Sequence, residues 1–230
     1  MTKSISIAID GPAGAGKTTV ARGVAQELGY KYVDTGAMYR AVAWKSLQLG
    51  IPLSDEAAIV RMTEGMHFDF SEGEGSRIFV DGMDVSGEIR TKEVTWLSSP
   101  VSAISGVRRI LVARQRLLAG NGGVVMEGRD IGSVVLPDAQ VKVFLTASVH
   151  ERARRRTSEL AAAGMEADVD QICRDIEERD HRDSTRFDSP LVQATGAECI
   201  DTDHLSIEQV VDKIVTMAET RIQTEPGTNG

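Results

Sequence analysis

The run Gly11-Pro-Ala-Gly-Ala-Gly-Lys17-Thr18 constrains the fold more than any other part of this 230-residue chain. It matches G-x-x-x-x-G-K-[ST] in full and stands between two different periodicities. Ile5-Ser-Ile-Ala-Ile9 alternates as a strand does, and Lys17 to Leu28 is amphipathic at helical spacing. A strand, a glycine-rich turn and a helix N-terminus together make a phosphate cradle. Backbone N–H groups point inward, the helix dipole favours anions, Lys17 reaches the outer phosphates and the Thr18 hydroxyl can ligate Mg²⁺. The chain is therefore expected to bind a nucleoside triphosphate.

Strand-like segments recur between helical stretches, as a parallel sheet covered by helices on both faces requires. Tyr30–Val33, Val124–Met126, Val141–Leu145 and Glu198–Asp201 are the expected successors of the first strand. Ser206 reads as a helix N-cap, and Gln209 three residues on completes a capping box for a helix running to about Ile222. Between the second and third strands the period drops to two. Met66–Phe70, Arg77–Val80 and Met83–Val85, separated by turns at Gly73-Glu-Gly75 and Asp81-Gly82, predict a small antiparallel meander. It falls within an insertion spanning 52–104. Residues 224–230 have the composition of a disordered tail.

Composition narrows the class. A net charge of −8 and an aromatic content of 4% argue against nucleic-acid binding. No apolar run is long enough to span a bilayer, so no membrane association is expected. Met1–Ser4 leads directly into the first strand, leaving no room for a signal peptide, and a cytoplasmic protein is expected. Cys173 and Cys199 belong to no metal-spacing motif and are expected as reduced, buried thiols. The four histidines are scattered, with no H-x-x-x-H pair, so no zinc site is expected. Nothing demands a dimer, and a monomer is expected.

A phosphate loop alone serves GTPases, motor ATPases, helicases and small-molecule kinases. There is no N-K-x-D guanine motif, and the strand at Val124–Met126 runs into Glu127-Gly128 without a D-x-x-G switch. What remains is a compact protein with many arginines in loops and at helix starts. Arg40 lies just past the second strand and Arg129 just past the third, where ligands of doubly wound sheets bind. Arg108 and Arg109 begin an amphipathic helix, Arg152, Arg154, Arg155 and Arg156 crowd another, and Arg179, Arg182 and Arg186 lie in an Asp-rich segment. An acceptor phosphate facing a donor triphosphate calls for several guanidinium groups. The helix Glu151–Glu159, taken alone, reads as a solvated charged face.

Several motifs together resemble the bacterial cytidylate kinase (CMP/dCMP kinase) family of nucleoside monophosphate kinases. They are I-D-G-P-A-G-A-G-K-T-T at 9–19, Y-V-D-T-G-A-M-Y-R at 32–40, E-G-R-D-I-G at 127–132 and E-R-D-H-R-D-S-T-R at 178–186, followed by Pro190-Leu191. The resemblance covers the chain apart from its tail. It implies an α/β three-layer P-loop kinase fold with a parallel five-stranded sheet. The core would comprise 1–51, 105–147 and 187–223, the monophosphate-binding region 52–104, and a helical lid 148–186.

The resemblance also implies roles. Gly11, Pro12, Ala13, Gly14, Ala15, Gly16, Lys17, Thr18 and Thr19 would hold the ATP phosphates, with Mg²⁺ on Thr18 and, through water, on Glu127. Thr35 and Arg40 would bind the acceptor's phosphate, assisted by Arg129, with Tyr39 also among the residues that bind CMP. Ser99, Arg108 and Asp130 would read cytosine, while Asp183, Arg186 and the nearby Arg179 would hold the sugar and phosphate side. Lys17, Arg129, Arg186 and the lid residues Arg152 and Arg156 would serve the transfer itself. The partners implied are ATP and CMP or dCMP.

Elementary chemistry agrees with part of this. Cytosine offers an N4 amine beside the N3 and O2 acceptors, so a carboxylate such as Asp130 and a donor such as Arg108 suit it, whereas uracil would set O4 against the carboxylate. Ser105 stands two residues before Val107-Arg108, where many relatives have proline, which keeps Arg109 as an alternative to Arg108. A kinase for UMP or shikimate, or a non-catalytic nucleotide sensor, would share the phosphate loop.

Overall fold

The structure, a computed structural model, describes residues 4–71, 77–162, 164 and 166–224. The expected turn at Gly73–Gly75 and the tail beyond Thr224 lie outside the described residues. Two compact units are defined, one formed by 1–31 and 121–230, the other by 32–120.

The first unit is built on β1 (Ser6–Asp10), buried along almost its whole length, and α1 (Lys17–Leu28). A short β2 (Lys31–Asp34) follows, only its first residue within this unit, with the Lys31 N–H bonded to the Gly123 carbonyl at 2.8 Å. The unit then resumes with β6 (Val124–Gly128), β7 (Val141–Thr146), α6 (Val149–Ala162), α7 (Val169–Thr185), β8 (Glu198–Asp201) and α8 (Ile207–Thr224). Among the described residues five strands form one sheet in the order β2-β6-β1-β7-β8, with β1 parallel to both β6 and β7 and β7 parallel to β8. This is the α/β fold expected. β6 runs two residues further than its apolar core, because Glu127 and Gly128 stay in register opposite Ile9 and Asp10. The capping box forms as predicted: Ser206 N–H donates to Gln209 Oε1 at 2.8 Å and Gln209 N–H to Ser206 Oγ at 3.3 Å. Thr224, expected in the tail, instead ends α8.

The second unit contains α2 (Thr35–Gln48), α3 (Glu56–Gly65), β3 (Phe68–Phe70), β4 (Ile78–Val80), β5 (Met83–Asp84), α4 (Lys92–Ala103) and α5 (Ser105–Ala119). β3, β4 and β5 pair antiparallel, the meander that the two-residue period predicts. Three of these four helix starts have a local reason. Asp34, Asp55 and Thr91 accept from the backbone N–H three residues on, at 2.9, 2.9 and 3.3 Å, and so cap α2, α3 and α4. Met38, Val42, Ile59, Val80, Ile89, Val101 and Leu111 share one apolar core. Burial of such side chains is worth about 1.5–3 kcal/mol each and holds the meander to its helices.

Two expectations fail. Cys199 is exposed and Cys173 half-buried, though both are free thiols. Cys199 lies on β8, the edge strand of the sheet, so one of its faces is uncovered. The helix Glu151–Glu159 is not a uniformly solvated face either: α6 packs along α7, burying Arg152, Ala153 and Leu160 while Arg154 and Arg156 stay exposed. Among the described residues no helix is long and apolar enough to cross a membrane.

The glycine at position 11 is dictated by backbone and space together. Its φ is +148°, and a Cβ there would stand 2.0 Å from the Leu145 carbonyl oxygen of β7. Gly11→Ala should therefore lower stability by at least about 3 kcal/mol in urea denaturation, through both strain and overpacking. A loss under 1 kcal/mol would show that the loop relaxes freely.

Candidate active site

Chain direction concentrates chemistry beyond one end of the sheet. From β1 the chain passes to β2 at the edge, returns to β6, then crosses β1 to β7. The carboxyl ends of β1 and β6 therefore lie side by side at a topological switch point, the usual ligand crevice of an open α/β sheet. β1 delivers Asp10 and the loop Gly11–Gly16; β6 delivers Glu127, Gly128, Arg129 and Asp130.

Gly16, with φ +86°, starts α1 in the left-handed region, and no side chain caps that helix. Its first N–H groups are thus left to an anion, as a phosphate cradle requires. Lys17 is buried and its Nζ donates to the Pro12 carbonyl at 2.6 Å, whereas Thr18 and Thr19 are exposed. Burial, and then the neighbouring Arg129 and Arg179, push the Lys17 ammonium down to about 7 against the opposing pull of Glu127 and Asp10. Burial thus penalises a cation that the charge of a triphosphate would welcome.

Arg129 Nε donates to Asp183 Oδ2 at 2.9 Å, and Arg186 stands 3.9 Å from Asp130 Oδ1. Burial raises the Asp183 carboxyl, but Arg129, Arg179 and Arg186 outweigh it and hold the group below the ordinary carboxylate range. Four sequence-predicted residues of α7, its C-cap and the β6 turn are so brought together. Arg152 is buried as well. It donates from Nε to the Ala147 carbonyl at 3.0 Å and from an η nitrogen to the Ala13 carbonyl of the phosphate loop at 3.2 Å, and pairs with Asp180 at 2.6 Å. Arg156, one turn on, pairs instead with Glu159 at the surface. Glu127 is buried at 4% exposure on β6.

In the second unit, Asp34 caps α2 and also binds Arg40 at 2.7 Å. Burial raises Asp34, yet Arg40, the Ala37 N–H and Arg90 together hold its carboxyl below the usual range. Thr35 is buried at the start of α2, and Tyr39, one turn on, places its ring 5.3 Å from the Arg108 guanidinium. Arg108 is buried and bonds the Ser102 carbonyl at 3.0 Å, while its neighbour Arg109 is exposed. Ser99 is buried on α4.

Sequence reasoning assigned no role to Asp10, Asp34 or Asp180. Asp10 had a signal, a charged residue ending an otherwise uncharged strand. Asp34 sits inside a quoted motif. Asp180 had none, since its partner lies 28 positions away on another helix.

Asp10 also gives the site a pH signature. Burial, opposed by the Gly132 and Ile131 N–H groups, raises its carboxyl from 3.8 to about 6. A raised carboxyl binds its proton more tightly when folded, so stability present below pH 4 is lost as pH rises through 6. Its size is about 3 kcal/mol, from about 1.36 kcal/mol per unit. Denaturant unfolding of Asp10→Asn and unsubstituted protein should show their stability difference moving in the variant's favour by that order between pH 4 and 7. A difference independent of pH would contradict this environment.

Fold, phosphate loop and the acidic and guanidinium groups at the switch point define a P-loop nucleotide-binding protein of kinase architecture. A family model for cytidylate kinase matches residues 7–220. A cytidylate kinase from Desulfitobacterium hafniense (strain Y51) is 49% identical over 224 residues, 97% of each chain. Another, from Desulforamulus reducens, is 51% identical over 219 residues, 95% of this chain and 99% of its own. The chain belongs to the cytidylate kinase family. An uncharacterized protein from Eubacterium ventriosum superposes with a TM-score of 0.54 at 12% identity, covering 95% of this chain and 99% of that one, a likeness of fold alone.

Proposed function

We propose that this protein transfers the γ-phosphoryl group of ATP to CMP or dCMP, giving ADP and CDP or dCDP, with Mg²⁺ accompanying ATP. The observation that carries the reading, together with family membership, is the in-register pairing of β1 and β6. It sets the phosphate loop beside Glu127-Gly-Arg-Asp130 at the sheet's switch point.

Phosphoryl transfer needs alignment and neutralised charge more than covalent chemistry. Gly11 to Thr19 bind the ATP phosphates, and Lys17 supplies charge to the outer ones. The donors near that loop fit Mg²⁺, which favours hard oxygen ligands and keeps several waters. Thr18 would hold it directly and Glu127 through water, and the ion would neutralise charge on the transferred group. Among the described residues no group of three His, Cys, Asp or Glu side chains is placed to hold a metal. Thr35, Tyr39 and Arg40 take the acceptor phosphate, with Arg129 alongside. Asp130, Arg108 and Ser99 read the base, and Asp183, Arg186 and Arg179 hold the sugar and phosphate side. The burial of Arg108 beside Tyr39, with Arg109 exposed, favours Arg108 for that role.

Residues 52–104 serve as the monophosphate-binding region. The segment 148–186 acts as a lid whose Arg152 and Arg156 reach the transferring phosphate, and closure excludes water, which competes with CMP for the phosphoryl group. The enzyme works as a cytoplasmic monomer, apart from nucleic acid and membranes.

Purified protein with ATP and Mg²⁺ should release ADP rapidly on adding CMP and hardly at all without it. ADP release indifferent to CMP would remove this reading. Asp130→Ala should then lower the preference for CMP over UMP by about a hundredfold, since the base-reading carboxylate is gone. An unchanged preference would take base recognition away from Asp130.

A further inference from the structure

Asp10 has no part in the roles above, yet it is only 3% exposed and ends the strand that feeds the phosphate loop. Its two oxygens are both committed. Oδ1 accepts the Ile131 N–H at 2.8 Å and Oδ2 accepts the Gly132 N–H at 2.7 Å. Those are the first two N–H groups of the helical turn Ile131–Val135, in which Val135 N–H bonds back to the Asp130 carbonyl at 3.1 Å. The opening N–H groups of any helical turn lack partners inside it, and the residue just before usually accepts from the second or third of them, here Gly132 or Ser133, with its own side chain. Here that residue is Asp130, of a type well suited to capping, at φ −147° and ψ 24°, and its side chain makes no capping hydrogen bond.

Asp10 therefore performs, from the neighbouring strand, the capping that Asp130 would otherwise perform locally. We propose that Asp10 is a positioning residue for base recognition: by capping the Ile131–Val135 turn from β1, it keeps the Asp130 carboxylate out of that cap and directed to the ligand. The inference rests on the proposed role of Asp130 in reading cytosine. It also explains why a strand of small and aliphatic side chains ends in a buried carboxylate at all. Burying a charge is unfavourable unless it is fully hydrogen-bonded, and both oxygens of Asp10 are engaged by backbone donors of the turn that carries Asp130.

Asparagine is the decisive replacement. It matches aspartate in shape but offers one acceptor and one N–H₂ group, so one backbone N–H of the turn would face another donor. Asp130, the residue that opens the turn, carries a carboxylate that could accept in its place, and turning it into the cap would take it from the base. Asp10→Asn should lower kcat/KM for CMP by about a hundredfold, as expected for a displacement near 1 Å of a reacting or recognising group. UMP, which shares the disturbed turn but does not need the carboxylate, should lose about tenfold, so the CMP-to-UMP ratio of kcat/KM should fall by about tenfold. ATP affinity should change by less than about threefold, since the loop's own N–H groups and Lys17 remain.

The experiment compares unsubstituted enzyme, Asp10→Asn, Asp130→Ala and the double variant with CMP and UMP at saturating ATP. If the unsubstituted enzyme does not prefer CMP, the assigned function fails and the role of Asp10 falls with it. If it does prefer CMP, the test falls on Asp10 alone. The expected result is a reduced ratio in Asp10→Asn and no further reduction when Asp10→Asn is added to Asp130→Ala. An unchanged ratio in the single variant, or an equal reduction on both backgrounds, would overturn the proposal. Should Asp10→Asn fail to fold, Asp10→Glu keeps both oxygens but sets them one methylene farther. It should lower the ratio in the same direction, and retention of the full ratio would equally overturn the proposal.

Discussion

Lys17→Ala is expected to reduce kcat by on the order of a thousandfold while leaving the melting temperature within a few degrees of the parent, or above it. The turnover loss follows from removing a charge directed at the developing phosphoryl negative charge, an interaction worth about 10²–10³ in rate or more in a water-excluded site. The stability half follows from its surroundings. Burial and Arg129 already push the Lys17 ammonium down to about 7, so the fold holds the cation against its preference. Its Nζ donates to a loop carbonyl, that of Pro12. A residue that destabilises its own resting environment is typical of a site shaped for a ligand and not for the fold. Thermal denaturation and initial-rate kinetics on the same preparation decide the matter. Unimpaired turnover would remove Lys17 from catalysis, and global unfolding would make it a structural residue.

Arg129→Ala is the second large effect. Its guanidinium follows β6 directly, half shielded, and holds Asp183 at 2.9 Å. Arginines that meet a transferring phosphoryl group contribute about 10³–10⁵ in rate, so kcat/KM for CMP should fall by at least a thousandfold. ATP affinity should change by less than about tenfold, because the phosphate loop is untouched. Stability should fall by about 1–3 kcal/mol, since Asp183 loses one of its cationic neighbours but keeps Arg179 and Arg186. Arg129→Lys should restore stability better than turnover, as an ammonium lacks the planar two-pronged donor set. Equal losses for both nucleotides would mean that Arg129 supports the whole crevice and not the acceptor.

Much of the fold was legible because local rules and global packing agree. The boundaries of α1 fall where glycines bracket an amphipathic run, and the Ser206–Gln209 box forms as written. The meander announced itself by its period. Less legible was whatever depends on partners distant in sequence. The Arg129–Asp183 pair spans 54 positions and the Asp10 bond to Ile131 spans 121. No periodicity encodes either. Arg152 and Arg156 look equivalent on a helical wheel, yet one is buried at the phosphate loop and the other is paired at the surface. The difference lies in where α7 packs, which charge patterning alone does not reveal. Cys199 was misjudged for a related reason: an apolar-looking strand is buried on both faces only when it is central, and β8 is an edge. Strand β6 extends through Glu127 and Gly128 because register with β1 outweighs their weak strand preference.

The most direct test is to identify the phosphorylated product when the enzyme, ATP and Mg²⁺ meet CMP, dCMP, UMP, AMP, GMP or shikimate in turn. Rapid formation of CDP and dCDP, with the other acceptors slower by orders of magnitude, is the predicted result. Faster phosphorylation of any other acceptor, or no product from the panel while ATP still binds, would contradict it.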